Sequence, residues 1–386
     1  MRIAIITENF LPKLDGVTRT LAKLLEHLQL SGHKAILLGP ESGMEEYAGA
    51  EIVGTAGLPF PFYPELKFNF FRPLFMRRLN EFQPDMLHLV DPVILGATGL
   101  AAARFLDIPL VSSYHTNLAA YCEHFGFPIF TKPMWSYNRF VHNQCALTFC
   151  PSPSTAGMLR LQGFEHLRIW PRGVDTTIFR PARRSKELRR TWLASEDEGK
   201  TILLFVGRVS WEKNLRLLIN AYREMDHTRC HLVIVGEGPA LDEIRQELAH
   251  VPATFTGYLK GEALATAYAS SDIFAFPSRT ETFGQVVLEA MASALPVVGL
   301  FAEGVCDLVE REKTGLLLDD RHLCEEEQVM QYRAYLDQLV GDKQTRLDMS
   351  RAALEEAQHR SWYEAMEKLV RGYHEVVEAR RPLLTA

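Results

Sequence analysis

The sequence predicts an α/β protein built from two doubly wound domains in tandem. Three observations carry this: a strand–helix–strand rhythm that recurs along the chain, a length of 386 residues, and one break in the rhythm between residues 170 and 190. The length suits two domains of ordinary size. The 47% hydrophobic content supplies real cores and excludes a disordered chain.

Residues 2–7 form a short run rich in Ile, suited to a strand buried on both faces. A loop with Pro12 and Asp15-Gly16 leads into a helix over 17–30, with Leu21, Leu24, Leu25 and Leu28 on one stripe. Ser31-Gly32-His33 stops it, and 34–38 reads as the next strand, so the sheet is parallel. Strands at 86–90, 109–113 and 147–150 and helices at 93–105 and 154–162 continue the pattern. Pro171 to Asp175 is turn-like, and 180–190, dense in Arg and Lys and interrupted by Pro181, reads as the linker. The rhythm restarts with strands at 201–206, 231–235, 254–256, 273–276 and 296–299, separated by helices at 215–225, 240–250, 262–270 and 285–294. From Glu325 onward the pattern is helical. Such sheets bind ligands beyond the carboxyl ends of their strands, and with two domains the cleft between them is the expected site.

The 42 Lys and Arg against 48 Asp and Glu give a net charge of −6. A chain that binds nucleic acid through overall charge would be basic, so no nucleic-acid partner is expected. None of the six cysteines forms a Cys-x-x-Cys pair, and neither a metal nor a cofactor is expected. The N-terminal apolar run is too short for a signal peptide, and the longest uncharged apolar stretch, 93–103, is about half a bilayer span. The expectation is a cytoplasmic protein with free thiols used in packing.

Four places could carry chemistry. In Gly207-Arg208-Val209-Ser210-Trp211-Glu212-Lys213 a buried strand ends at a glycine, and two cations occupy the loop before a helix, which suits a diphosphate. In Glu281-Thr282-Phe283-Gly284-Gln285 a carboxylate precedes a helix start with open backbone N–H groups. Glu289 follows two turns on among apolar neighbours and needs a partner. His115 ends a strand of the first half, where a lone histidine is either a structural group or one facing the expected cleft. Asp15-Gly16-Val17 lies where the first strand hands over to the first helix. Gly236-Glu237-Gly238 begins like a dinucleotide fingerprint, but Leu241 stands where Gly or Ala is required. No Gly-x-x-x-x-Gly-Lys-Ser/Thr or Gly-x-Ser-x-Gly sequence is present.

Taken together, these pieces resemble the retaining glycosyltransferases of family 4, nearest to the branch of sulfoquinovosyl- and mannosyl-transferases. The marks are Glu281 and Glu289 at Glu-x7-Glu spacing, Gly207-Arg208 with Lys213, Val235 to Pro239, Asp15-Gly16-Val17, His115, and Gly173-Val174-Asp175 followed by Phe179-Arg180-Pro181. The resemblance implies the GT-B fold of two Rossmann-like domains. The first would be an acceptor-side domain, 1–182, with the helix 362–386 crossing back to it. The second, 183–361, would bind a UDP- or GDP-sugar. Arg208 and Lys213 would hold the diphosphate, Glu289 the ribose, Glu281 the hexose hydroxyls and Tyr258-Leu259 the base. Backbone N–H groups of Phe283, Gly284 and Gln285 would meet sugar and phosphate, and Gly207, Gly16 and His115 would complete the site. The leaving phosphate is thought to assist deprotonation of the acceptor, so no enzymic nucleophile is assigned. Arg172 stands where the family commonly has Asn, Glu303 and Cys306 where small residues or Pro are common, and Ala294 where Gly is. Two other readings share the architecture: a nucleotide-sugar epimerising hydrolase and a non-catalytic nucleotide-sugar binding protein.

For the acceptor, residues 58–78 interleave six Phe and one Tyr with Lys67, Arg72, Arg77 and Arg78. That stretch reads either as core aromatics with the bases on a solvated helix face, or as a surface that meets an anionic membrane peripherally and admits a lipid or other apolar alcohol.

Overall fold

The computed structural model describes residues 1–12, 16–60, 63–68, 72–119, 122, 127–193, 197 and 199–380, with backbone alone at 58–60 and 63–68. The chain forms two compact units, one of Met1–Arg172 with Trp362–Ala386 and the other of Gly173–Ser361.

In the first unit the strands are β1 (Arg2–Thr7), β2 (Lys34–Pro40), β3 (Glu46–Tyr47), β4 (Ala50–Thr55), β5 (Leu58–Phe60), β6 (Tyr63–Phe68), β7 (Met86–Val90), β8 (Leu110–Ser113), β9 (Leu147–Cys150) and β10 (Leu167–Ile169). Eight of them make one sheet in the order β10-β9-β8-β7-β1-β2-β4-β3, and β5 and β6 pair separately. Every pairing in the large sheet is parallel except β3 on β4. Side chains of β1 alternate between two cores, as period-2 pleating requires. Ile3 and Ile5 pack with Leu21, Leu24, Leu25 and Leu28 of the helix Gly16–Leu30 and with Met366, Leu369 and Tyr373 of the helix Trp362–Arg380. Ala4 and Ile6 pack on the other face with Phe75, Leu79, Leu95 and Leu100.

The second unit contains β11 (Thr201–Val206), β12 (Cys230–Val235), β13 (Ala253–Gly257), β14 (Ile273–Phe276), β15 (Val297–Leu300) and β16 (Gly315–Leu318), all parallel, in the order β13-β12-β11-β14-β15-β16. In both sheets the chain winds outward one way, returns to the middle and winds the other way. The reversal lies between β1 and β7 in the first and between β11 and β14 in the second, the position at which folds of this kind take their ligands.

The basic stretch read as a linker is a built part of the second unit. It carries the helix Lys186–Trp192. Arg184 and Arg189 both bond the carboxylate of Asp272, at 2.6 and 2.9 Å, and that carboxylate also accepts from the N–H of Ile202 at the start of β11. Dense positive charge here has a partly buried anion to meet. The division falls between Arg172 and Gly173 instead of at 182/183, because Val174 already belongs to the second core and Phe179 packs against it. All six cysteines are free, and not all serve packing. Cys324 is exposed and takes part in a reciprocal cap of the helix Glu325–Gly341 with Glu327.

Candidate functional site

In the second unit, the predicted clamp and the first predicted carboxylate sit on the two loops that flank the point where the strand order reverses. The loop after β11 carries Gly207, Arg208 and Lys213, and the loop after β14 carries Ser278 and Glu281. Asn214, in a left-handed conformation at φ 54°, ties the two loops together by donating from Nδ2 to the carbonyl of Pro277 at 3.2 Å. Lys213 Nζ lies 2.6 Å from Glu281 Oε1, and Ser278 Oγ donates to the same oxygen at 3.1 Å. The Lys213 and Glu281 side chains are each 18% exposed. Partial burial strengthens their attraction over that of a surface pair, and a ligand can still reach them. The two predicted diphosphate cations are therefore not equivalent. Lys213 is engaged by Glu281, whereas Arg208 is 55% exposed, with its guanidinium 4.0 Å from Glu212 at the margin of an ion pair.

The Gly236-Glu237-Gly238 run is explained by backbone crowding. A Cβ at Gly236 would stand 1.9 Å from the carbonyl oxygen of Gly207, and one at Gly238 2.3 Å from that of Val209. Val209 N–H donates to Glu237 O, and Ala240 N–H to Val209 O, at 2.9 and 3.0 Å. The two glycines let this loop lie flat on the Gly207–Val209 turn and fix it from behind. Gly304 does the same for the other loop: a Cβ there would come within 2.7 Å of Glu281 O and Phe283 N.

Phe283 is buried, and the helix Gln285–Ala292 starts at Gly284 with no side-chain cap. Gln285 turns its amide to the carbonyl of Gly173 at 3.1 Å. Glu289 is 3% exposed, and the hydroxyl of Tyr268 donates to it at 3.3 Å. Tyr258 stands half exposed just past β13, with Leu259 half-buried beside it.

In the first unit, Gly16 opens its helix, and a Cβ there would meet nothing within 4 Å among the described residues. Asp15 lies outside the described residues. His115 is tightly held. It is 7% exposed, and both ring nitrogens are engaged: Nε2 lies 2.7 Å from Ser113 Oγ, and Nδ1 accepts from Arg172 Nη2 at 2.7 Å. Burial, with the charge of Arg172 beside it and His88 and His142 in reach, holds its pKa well below the ordinary value. The neutral ring is built into the sheet edge and is not a group facing outward.

Sequence reasoning missed Asp91 and Glu8. Asp91, at φ 45° directly after β7, accepts from the N–H groups of His115 and Thr116 at 2.6 and 3.1 Å and from the Thr116 hydroxyl at 2.6 Å. The signal was present as an acid between a buried strand and Pro92. Glu8, directly after β1, accepts from Leu95, Val93 and Gly96 N–H at the start of the helix Ile94–Phe105. Burial pushes its pKa up to about 7 in spite of those bonds.

Of the predicted membrane stretch, residues 61, 62 and 69–71 and all side chains of 58–71 lie outside what is described. Its last two bases are paired, Arg78 with Glu51 and Glu81 and Arg77 with Glu81. Among the described residues no helix is long and apolar enough to cross a membrane. Nor is any group of three or more His, Cys, Asp or Glu among them placed to hold a metal ion.

Two doubly wound units, one of them presenting a Lys–Glu–Ser cluster on paired loops at its strand reversal, place polar side chains where nucleotide-binding α/β folds take their ligands. Known proteins sharpen this. Residues 14–178 match the model described as Glycosyltransferase Family 4 and residues 190–356 that of Glycosyl transferases group 1. The chain is 35% identical to a GDP-mannose-dependent alpha-mannosyltransferase of Mycolicibacterium smegmatis, covering 100% of both proteins. It is 34% identical to the sulfoquinovosyl transferase SQD2 of Arabidopsis thaliana, over 92% of this chain and 70% of that protein. Sucrose-phosphate synthase from Thermosynechococcus elongatus shares the fold with a TM-score of 0.79 at 18% identity, over 98% of this chain and 99% of that one. The chain belongs to the family 4 glycosyltransferases.

Proposed function

We propose that this glycosyltransferase moves a hexosyl group from a UDP- or GDP-sugar to the hydroxyl of an apolar, lipid-like acceptor, with retention of anomeric configuration. The observation that carries the reading is the Lys213–Glu281–Ser278 cluster beside the Gly207-Arg208 turn. Arg208 and Lys213 neutralise the diphosphate as it leaves, which supplies electrostatic stabilisation where charge develops. As phosphate draws Lys213, Glu281 is released to accept hydrogen bonds from sugar hydroxyls. The N–H groups at Gly284 and Gln285 add the positive end of a helix. Glu289, oriented by Tyr268, holds the ribose, and Tyr258-Leu259 flank the base.

Support for an apolar acceptor comes from the first unit. Phe127, Ile129, Phe130 and Phe140 are exposed, and residues 127–144 hold Lys132 and Arg139 but no Asp or Glu. Such a surface suits peripheral contact with anionic lipid. The test is a panel of UDP- and GDP-sugars ranked by thermal shift, followed by turnover on diacylglycerol vesicles with the product anomer read by NMR. A raised Tm with one donor and an α product from an α donor are expected, and activity persists in EDTA. An inverted product, or free sugar formed equally fast without acceptor, would overturn the reading.

A further inference from the structure

We infer that Arg172 is a positioning residue that fixes His115 in the tautomer carrying its proton on Nε2, making the ring a permanent donor to Ser113. A guanidinium has donors only. With Arg172 Nη2 2.7 Å from His115 Nδ1, that nitrogen must accept, and a neutral imidazole then holds its proton on Nε2. Ser113 Oγ, 2.7 Å away, receives it. A doubly protonated ring would set N–H against N–H at bonding distance and a second cation beside the first.

The order continues inward. Ser113 Oγ lies 2.8 Å from His88 Nε2, and His88 Nδ1 lies 2.6 Å from the hydroxyl of Tyr373 on the helix Trp362–Arg380. Ser113, already accepting from His115, passes its own hydrogen to His88. Arg172 is itself held in place, donating to the carbonyl of Trp170 at 2.9 Å with its guanidinium 4.5 Å over the Trp170 ring. The main chain of residue 115 is gripped from the other side by Asp91. An Asn at 172 could present either an oxygen or an N–H and would leave the tautomer open. On the glycosyltransferase reading, on which this role rests, the one lone pair of His115, on Nδ1, is occupied by Arg172 and does not take a proton from an acceptor. It contributes a rigid edge to the site.

The test is side-chain 15N NMR of histidine-labelled full-length protein, with the His115 signals assigned by loss in His115→Gln. Wild-type His115 should be protonated on Nε2 only and should not titrate between about pH 5 and 8, where an ordinary histidine would. Arg172→Lys retains a donor and should keep both the tautomer and kcat/KM within about threefold. Arg172→Met removes the donor and the neighbouring charge. His115 should then sample both tautomers and titrate upward of its wild-type position, and kcat/KM should fall about tenfold with a new acid limb. A wild-type ring protonated on Nδ1, or an Arg172→Met protein with unchanged tautomer and pH profile, would overturn the inference. The tautomer of each protein is read from its spectrum without turnover, so failure of the enzyme reading would be seen separately.

Discussion

The two units share one winding order and use its reversal point differently. At the carboxyl edge of the first sheet, polar groups bond one another: Asp91 holds the main chain at His115 and Thr116, Arg172 and Ser113 hold the His115 ring, and Glu8 caps a helix. At the same edge of the second, charge remains within reach of ligand, in the partly exposed Lys213–Glu281 pair and the exposed Arg208. The rigid edge suits shape recognition, and the charged edge suits a diphosphate whose charge changes during reaction. Topology supplies the place, and side chains decide whether it is a scaffold or a binding surface.

The comparison breaks most readily at Lys213. Lys213→Ala should lower kcat/KM about a hundredfold, near 3 kcal/mol, by removing a phosphate contact and the partner of Glu281. Because the two side chains act as a unit, Lys213→Ala/Glu281→Gln should be little worse than the poorer single variant. Steady-state kinetics of all three proteins decide this, and strictly multiplicative losses would count against the shared cluster.

In the first unit, Glu8 offers a pH signature. Its native pKa, about 7 against an ordinary 4.5, means the folded state binds the proton more tightly than the unfolded chain. Stability should be undiminished below about pH 4.5 and should decline as pH rises towards 7, by up to about 3 kcal/mol. Glu8→Gln keeps the helix-capping oxygen and should remove that decline, as urea melts at pH 5 and 8 would register. Parallel decline in both proteins would show that Glu8 is not its source.

Tyr268→Phe gives the smallest effect. Losing the hydroxyl that orients Glu289 should cost about 1 kcal/mol and weaken nucleoside diphosphate binding in calorimetry, with no further penalty for the sugar. Unchanged diphosphate affinity would take Glu289 out of the ribose role.

Most strands were legible because a parallel strand covered on both faces is a nearly unbroken apolar run, as in β1, β7, β11 and β12, buried almost end to end. β4 was missed because its burial alternates irregularly, and β3 because two residues carry no period. In the second unit the site was largely readable, since Gly207, Arg208 and Lys213 share one loop and Glu281 to Glu289 one loop and helix. The first unit's edge was not. The contact of Arg172 with His115 spans 57 positions and that of Asp91 with His115 spans 24, and no local pattern reports such a meeting. His88, a histidine inside an apolar strand, and Asp91, an acid between a buried strand and Pro92, were the visible hints.

The route of the chain sets an order of assembly. The second unit is one unbroken stretch, Gly173–Ser361. The first waits for the helix Trp362–Arg380, whose Met366, Leu369 and Tyr373 complete the core begun at Ile3. A ribosome emits the chain from its N-terminus, so the later unit can finish folding while the earlier one still exposes an apolar face. Tyr373 also ends the hydrogen-bond line to His115, so that line can form only after the second unit has been synthesised.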